Sequence, residues 1–230
     1  MSDTLNCGVT TKKATDGALH LCINRPATKK HILTDQMRLT LRHPLSMKVN
    51  GNGQGKILTP EELRLLFTSG LLSPRDRALF GICLYTGCRV SEALALQTTD
   101  IKGETLTFRK STTKGKLKTR VVDIQPGLAQ LLAEYQPGKV GALFPGMRGI
   151  SPTLTRSMAD KILKSACTRV GLEGVSTHSF RRTALTMMSS AGIPLRVIQE
   201  ISGHNDLGTL QRYLEVSPEQ KRSAVAVIGF

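Results

Sequence analysis

The sequence predicts a mainly α-helical fold with one small antiparallel β-sheet (α+β), and two observations support this prediction. Residues 101–124 contain β-branched, alternating segments that are interrupted at Lys102-Gly103 and again near residues 114–118, a pattern typical of short antiparallel strands. From residue 125 to the end of the 230-residue chain, apolar positions recur at helical spacing. We therefore expect helices to supply most of the structure.

A compact domain is expected at residues 57–230. Residues 1–56 form a basic extension that ends in the glycine-rich run 50–55, which is typical of a flexible linker. We expect much of this extension to be poorly ordered without a partner. The domain then begins with Thr59 as a helix cap and Glu62 three residues later, which together predict a capping box.

The helices of this domain are expected in the following order. Ser73 precedes Pro74 and predicts a helix whose centre, 78–85, is apolar on nearly every side and should be buried all round. The remaining helices are expected at 89–96 and, after the sheet, at 128–134, 154–170, 180–190, 194–201, 207–216 and 218–227.

The charge balance indicates a polyanionic partner. The chain has 32 Lys and Arg against 17 Asp and Glu, a formal net charge of +15. Cationic side chains that neutralise phosphates release counterions, so nucleic acid is the leading partner. The charge alone does not separate a binding protein from an enzyme.

Cysteine usage and hydropathy narrow the cellular setting. The five cysteines form no CxxC pair, which indicates reduced thiols and neither a disulfide framework nor a thiolate zinc site. No apolar stretch is long enough for a membrane span, and the first residues lack the apolar core of a signal peptide. We expect a cytoplasmic protein that associates with DNA and not with a membrane.

Several polar residues have a spacing that suits chemistry. Arg89 lies three residues before Glu92, and His178 lies three before Arg181 at a helix start, where backbone amides favour an anion. Taken alone, the first pair is usually a surface ion pair and a solitary histidine is usually packed or capped. The hairpin 109–120 carries six basic and no acidic residues, which by itself indicates a solvated loop that senses DNA.

A second histidine and a tyrosine lie near the C terminus. His204 follows Gly203 in an expected loop, and Tyr213 lies nine residues later on the following helix, next to Leu214. A tyrosine beside leucines is usually a core or interface residue with a hydrogen-bonded hydroxyl. The order of all these residues along the chain is therefore more informative than any one of them.

That order resembles the catalytic signature of the tyrosine recombinases, the phage integrase family, from about residue 58 to residue 218. The segments 84–92 and 178–183 also look like the two arginine boxes of that family. The resemblance implies the tyrosine recombinase catalytic-domain fold. It also implies a site-specific DNA recombinase that works through a covalent 3′-phosphotyrosyl intermediate, without metal or ATP.

By that resemblance, the catalytic residues would be Arg89, Lys114, His178, Arg181, His204 and Tyr213. The two arginines would bind the scissile phosphate and the tyrosine would attack it. The first histidine would assist proton transfer, the second would support the phosphate, and the lysine would be the general acid. Attack builds a second negative charge on the phosphate, and the planar guanidinium matches two phosphate oxygens.

Several hairpin lysines are candidates for the general acid, because they lie close together and one sequence does not fix the hairpin register. We favour Lys114. Glu92 would orient Arg89 or an imidazole and would not bind a metal, since no carboxylates with ligand spacing accompany it. No cofactor is expected. Further contacts with double-stranded DNA would come from Arg109, Lys110, Lys116, Lys118, Arg120 and Arg182.

The two ends of the chain bear on assembly. The apolar tail 224–228 would either pack on its own chain or, as the resemblance implies, dock on a neighbouring subunit of a homotetramer on DNA. Family members usually carry a further N-terminal helical domain, whereas 56 residues precede the catalytic region here. Target recognition would then depend on the basic extension or on a separate protein.

Other functions remain open at this point. A DNA-binding protein without chemistry would use 180–201 as a helix-turn-helix unit, with 191–194 as the turn. A type IB topoisomerase uses similar catalytic groups to relax DNA. A metal-dependent nuclease is disfavoured because carboxylates are sparse.

Overall fold

The computed structural model describes residues 54–112, 119–138, 140–146, 152–214, 216 and 218–228. The predicted N-terminal extension up to residue 53 lies outside them, as do Lys114, Lys116 and Lys118. Among the described helices, none combines the length and apolarity that a membrane crossing requires.

The described residues form helices around one three-stranded antiparallel sheet, which confirms the predicted fold class. The helices are α1 (Pro60–Leu65), α2 (Pro74–Thr86), α3 (Val90–Leu94), α4 (Pro126–Tyr135), α5 (Arg156–Val170), α6 (Thr177–Ser190), α7 (Leu195–Ser202), α8 (Leu207–Gln211) and α9 (Pro218–Ala226). The strands are β1 (Ile101–Lys102), β2 (Thr105–Phe108) and β3 (Arg120–Asp123).

Helix α2 lies at the centre of the main hydrophobic core. Its residues 78–83 are buried, as the apolar pattern predicts, whereas Leu84 and Tyr85 of the predicted range 78–85 are only partly buried. The helix packs against α4 and α6. Phe80 stacks on Phe180 of α6 with ring centroids 5.0 Å apart, and Phe67 meets Phe180 edge-on at 6.2 Å. These contacts hold the start of α6, which carries His178 and Arg181, against α2. The C-terminal end of α2 leads directly to Arg89.

The sheet register turns one arginine toward the core. Strand β2 pairs with β3 so that Phe108 lies opposite Arg120 and Leu106 lies opposite Val122. Leu106 and Phe108 are fully buried. Because side chains alternate along a strand, Arg120 shares the inward face of β3 with Val122.

The helix starts and ends agree with the sequence in part. Thr59 and Glu62 form the predicted capping box at α1. The Ser73 side chain makes no capping hydrogen bond at α2, so that expected cap is absent and Pro74 alone favours the helix start. Helix α8 ends at Gln211, short of the predicted residue 216.

The chain after α8 continues in tight turns. The backbone N–H of Tyr213 donates to Leu210 O at 2.9 Å, and that of Leu214 donates to Gln211 O at 3.1 Å. Such i→i−3 bonds replace the α-helical pattern. They still place Leu210, Tyr213 and Leu214 against one apolar cluster, which explains why the residue spacing looked helical.

A second, small core supports the C-terminal elements. It consists of buried Leu185, Ile198 and Leu210, from α6, α7 and α8, with Tyr213 and three other side chains at its edge. We call these three leucine and isoleucine residues the second core. It is separate from the main core around α2.

Helix α9 and the tail after it lie against little of their own chain. Val225, Val227 and Ile228 are exposed by 67%, 84% and 78%. One polar contact joins α9 to α6, a hydrogen bond from Gln220 Nε2 to Ser189 O at 3.2 Å. Within the part of the chain that the structure describes, the tail therefore does not pack on its own chain, which was one of the two expectations for it.

Candidate active site

Arg89 is positioned by the turn between α2 and α3. Gly87 ends α2 with φ +60, a left-handed conformation that glycine adopts without strain, and the chain then enters α3 at Arg89. Nη1 of Arg89 lies 2.9 Å from Glu92 Oε1, and its backbone N–H donates to Glu92 Oε2 at 3.2 Å. The predicted pair is thus an ion pair at the start of α3.

Glu92 is a buried anion between two guanidinium groups. Its side chain is 1% exposed, and Oε2 also accepts from Nη2 of Arg120 at 3.2 Å. Burial by itself raises the pKa of the Glu92 carboxyl, but the charge of Arg120 and the hydrogen bonds from Arg89 outweigh burial and lower the pKa. Both carboxylate oxygens are therefore engaged by cations.

Arg181 is buried at the middle of the site. Its Nη1 donates to Gly87 O at 2.5 Å and to Ser202 O at 2.9 Å, and the residue is 1% exposed. Burial and then the nearby charge of Arg89 lower the pKa of Arg181 to about 10, so it is a cation at neutral pH. Its Nε is buried without a hydrogen-bond partner among the described residues.

His204 lies against Arg181 in the loop after α7. Nη2 of Arg181 is 2.9 Å from Nε2 and 3.1 Å from Nδ1 of the imidazole, and Ser202 Oγ is 2.7 Å from Nδ1. Burial and then the charge of Arg181 lower the pKa of His204 to about 3, so the ring is neutral near pH 7. A neutral imidazole donates a hydrogen bond from one ring nitrogen and accepts one at the other.

Tyr213 completes this cluster from the far end of the chain. Its ring centroid lies 5.1 Å from that of His204 and 5.8 Å from Cζ of Arg181. The ring is half-buried at the edge of the second core, and Thr186 Oγ1 donates to Tyr213 O at 3.3 Å. The structure thus gathers Arg89, Glu92, Arg181, His204 and Tyr213 into one connected group of contacts.

The other predicted residues differ in their placement. His178 is exposed in the first turn of α6, three residues before Arg181. Arg109 pairs with Asp100 at 2.9 Å and keeps 43% of its side chain exposed, and Lys110 is exposed where the hairpin begins. The lysine predicted as general acid lies outside the described residues.

Two predicted DNA contacts are corrected by the structure, because both side chains are buried. Arg120 is 6% exposed in the inward register of β3. Arg182 is 8% exposed and donates from Nη1 to Gly55 O at 2.8 Å. Both guanidinium groups are turned into the protein, so neither lies on the exposed surface that carries Arg109 and Lys110.

Sequence reasoning missed the structural position of Arg120 and the part played by Ser202. The carbonyl oxygen of Ser202 accepts from Arg181 and, at 3.0 Å, from Nη1 of Arg120. The alternation of β3 contained the signal, since Arg120 lies two residues before the partly buried Val122. Ser202 offered no signal, because its contribution comes from the backbone.

The arrangement suits an anion. Arg89 and Arg120 both bond the Glu92 carboxylate, and the charge of Arg181 lies close by, so three guanidinium groups accompany one carboxylate and the group has a surplus of positive charge. Within the described residues, no group of three or more His, Cys, Asp or Glu side chains is placed to bind a metal ion. Fixed guanidinium groups beside a tyrosine form a site that can stabilise charge on a phosphoryl group.

Comparisons with known proteins agree with this chemistry. The model of the phage integrase family matches residues 56–220. Tyrosine recombinase XerD of Corynebacterium glutamicum is 30% identical over 209 residues, which cover 87% of this chain and 62% of that protein. The chain thus spans about three fifths of the length of this relative.

Solved structures share the fold. XerH site-specific recombinase bound to its palindromic difH substrate, in a post-cleavage complex, matches with a TM-score of 0.61 and 25% identity over 78% of this chain and 55% of that one. The catalytic domain of bacteriophage HP1 integrase matches with a TM-score of 0.57 and 27% identity over 75% of this chain and 95% of that one.

Proposed function

The chain belongs to the phage integrase family of tyrosine recombinases, and from that membership we propose that it is a site-specific DNA recombinase. In this proposal the enzyme cleaves and rejoins DNA strands through a covalent 3′-phosphotyrosyl intermediate on Tyr213. The single observation that carries the proposal is one network of contacts that includes Arg89, Arg181, His204 and Tyr213, from four separate segments. Arg89 is joined to the other three through Glu92, Arg120 and the Ser202 carbonyl.

The phosphate is bound in this proposal by the two arginines and His204. A phosphodiester carries one negative charge and gains a second during attack, so fixed cations favour the transition state over the ground state. Arg181 is a cation at neutral pH and lies against His204, so in this proposal its charge faces the bound phosphate. Arg89 is the more open of the two arginines, with 21% of its side chain exposed.

The chemical step follows from these groups. The Tyr213 hydroxyl oxygen attacks phosphorus and its proton passes to His178, while the bond from phosphorus to the 5′ oxygen breaks and Lys114 protonates the leaving oxygen. Attack by the 5′ hydroxyl of another strand reverses these transfers and releases the tyrosine. The phosphodiester bond energy is retained in the intermediate, so the exchange requires no ATP.

DNA binding and assembly extend the proposal beyond the catalytic group. We propose that Arg109, Lys110, Lys116 and Lys118 contact double-stranded DNA along the hairpin. The exposed tail 224–228 would dock on a neighbouring subunit of a tetramer formed on DNA. An apolar groove of about 450 Å³ between α1, the end of α2 and α6 offers surface of matching chemistry.

A covalent capture experiment tests the chemistry. The protein is incubated with a library of nicked duplexes in which cleavage releases a short 5′-hydroxyl strand, so that rejoining is prevented, and adducts that resist denaturant are recovered and sequenced. We expect adducts with the native protein and none with Tyr213→Phe. Tyr135→Phe is the matched control, because that hydroxyl donates to Leu143 O away from the site, and it should form adducts.

The adduct assay, together with a plasmid relaxation assay, separates the competing functions. EDTA should leave adduct formation unchanged, because both Glu92 oxygens are already occupied by arginines. A pure binding protein would form no adduct with any duplex. A relaxing enzyme would remove supercoils from a plasmid without joining strands of two different duplexes, and either result would contradict the recombinase proposal.

A further inference from the structure

Arg120 shares an acceptor with each arginine of the proposed phosphate site. Its Nη2 bonds Glu92 Oε2 at 3.2 Å, and Glu92 in turn bonds Arg89. Its Nη1 bonds Ser202 O at 3.0 Å, and that oxygen also accepts from Arg181 at 2.9 Å. One guanidinium group therefore links the start of α3, strand β3 and the end of α7.

The surroundings of Arg120 fix its orientation. Its Cζ lies 4.3 Å from the ring centroid of Phe108, its partner across the sheet, so the guanidinium is packed by a cation–π contact. On another side lies Gly203, where a Cβ atom would meet the arginine Nη1 at 2.1 Å. Glycine at 203 thus permits the backbone of the Ser202–His204 loop to approach the guanidinium.

We propose that Arg120 is a positioning residue for strand cleavage, which sets the placement of Arg89 relative to Arg181 and anchors the Ser202–His204 loop without contacting DNA. This inference rests on the proposed function. The residue acts through Glu92 and through the Ser202 carbonyl, since each of its two Nη groups is bonded to one of them.

The two hydrogen bonds that residue 120 makes, to Glu92 and to the Ser202 carbonyl, require an arginine. The planar guanidinium offers two Nη groups at a fixed spacing, so it can bond a carboxylate and a carbonyl at the same time. A lysine carries the same charge but presents it as a single point, and it cannot reproduce both bonds in one geometry. Arg120→Lys therefore removes the link and keeps the charge.

A histidine titration by NMR on the full chain tests the positioning role without DNA. His204 is surrounded by the charges of Arg181, Arg89 and Arg120, and its native pKa is about 3. In Arg120→Lys these charges remain, so only release of the loop into water would raise the His204 pKa toward the usual ~6.5. A pKa that stays within half a unit of the native value would overturn the proposal.

Two further variants make this test decisive. Glu92→Gln removes a negative charge, and this loss by itself would lower the His204 pKa further. If the variant also loosens Arg120 and the loop, as proposed, the His204 pKa should rise instead. A fall of the His204 pKa would count against the proposal. Arg77→Lys is the matched control, because Arg77 likewise joins a carboxylate, of Glu134, to backbone oxygens, of Leu71 and Leu72. It should lower stability and leave His204 unchanged.

The adduct assay then measures the catalytic consequence. Displacement of reacting groups by about 1 Å costs on the order of 100-fold in rate, so Arg120→Lys should lower the saturating rate of adduct formation by about that factor. Its affinity for the same duplex should equal that of the native protein. Unchanged rates, or an affinity loss that explains the whole effect, would contradict the positioning role.

The two proposals can fail separately. If the native protein forms no adduct, the recombinase proposal fails, while the histidine titration still decides whether Arg120 anchors the loop. If adducts form normally in Arg120→Lys and its His204 pKa is native, the positioning proposal fails and the recombinase proposal stands.

Discussion

The two sides of the candidate active site are supported by very different amounts of packing. Arg89 and Glu92 lie at the start of α3, directly after α2, whose residues 78–83 are buried in the main core. Tyr213 lies at the edge of the second core, which contains three fully buried apolar side chains. Arg89 and Glu92 are thus built into the main core, whereas the proposed nucleophile, Tyr213, is carried by a lightly packed unit.

This difference suits a reaction in which the phosphate site stays fixed and the tyrosine segment adjusts. Regions with few buried apolar contacts open at a lower free-energy cost than the main core of the same domain. The buried charges of Glu92, Arg120 and Arg181 also rigidify their side of the site, because each is bonded within the protein. We therefore expect local stability, and the protection of backbone amides from hydrogen exchange, to fall from α2 toward Tyr213.

Truncation in the main core should have the largest effect on stability. Phe80 is fully buried and stacks on Phe180, so Phe80→Ala removes that contact and leaves a cavity. We expect a loss of about 3–5 kcal/mol in the free energy of unfolding, measured by urea denaturation. A loss below 1 kcal/mol would show that α2 is not the centre of the fold.

Truncation in the second core should have a smaller and more local effect. Leu210→Ala should cost about 2 kcal/mol, at the low end for a buried leucine, because few neighbours surround the site. Hydrogen exchange should speed up in α7 and α8 while α2 keeps its native protection. Equal acceleration in α2 would contradict the division into two cores.

Acidification should lower the free energy of unfolding through the protonation of His204. The folded-state pKa of about 3 lies below the usual histidine value of 6.5, so between these values the unfolded chain binds more protons than the folded one. Stability is therefore complete above pH 6.5 and falls as the pH drops toward 3, by about 1–2 kcal/mol between pH 7 and pH 5. His204→Gln should lack this component, and an identical pH dependence in both proteins would refute it.

A charge on the tail should leave the isolated chain almost unchanged. Val227 is 84% exposed, so Val227→Asp should alter the free energy of unfolding by less than about 0.5 kcal/mol. On DNA the same variant should reduce assembly beyond the monomer, measured by light scattering, because it places a charge in the proposed subunit contact. Native assembly by the variant would remove the tail from the proposal.

Local rules in the sequence predicted the elements well. The structure contains three features that were predicted from short stretches of sequence: the capping box at Thr59, the buried helix α2 and the strands within 101–124. The predicted helix to residue 216 was too long because turn bonds satisfy the same apolar spacing. Local patterns do not distinguish a helix from a series of turns that buries the same residues.

The sequence predicted that several of these residues lie together, but not the contacts that connect them; their catalytic roles stay a prediction. Arg89, Glu92, Arg181, His204 and Tyr213 meet as their order along the chain indicated. The burial of Arg120 and Arg182 was missed, because basic residues usually lie at the surface and their partners are distant along the chain. A carbonyl oxygen such as that of Ser202 leaves no mark in the sequence at all.

Identification of the residue that becomes bonded to DNA tests the central claim most directly. Captured adducts are digested with protease and nuclease, and the peptide that retains a nucleotide is sequenced by mass spectrometry. We predict a nucleotide linked through its 3′ phosphate to Tyr213. A link to Tyr85, Tyr135, a serine or a histidine would contradict the proposed active site.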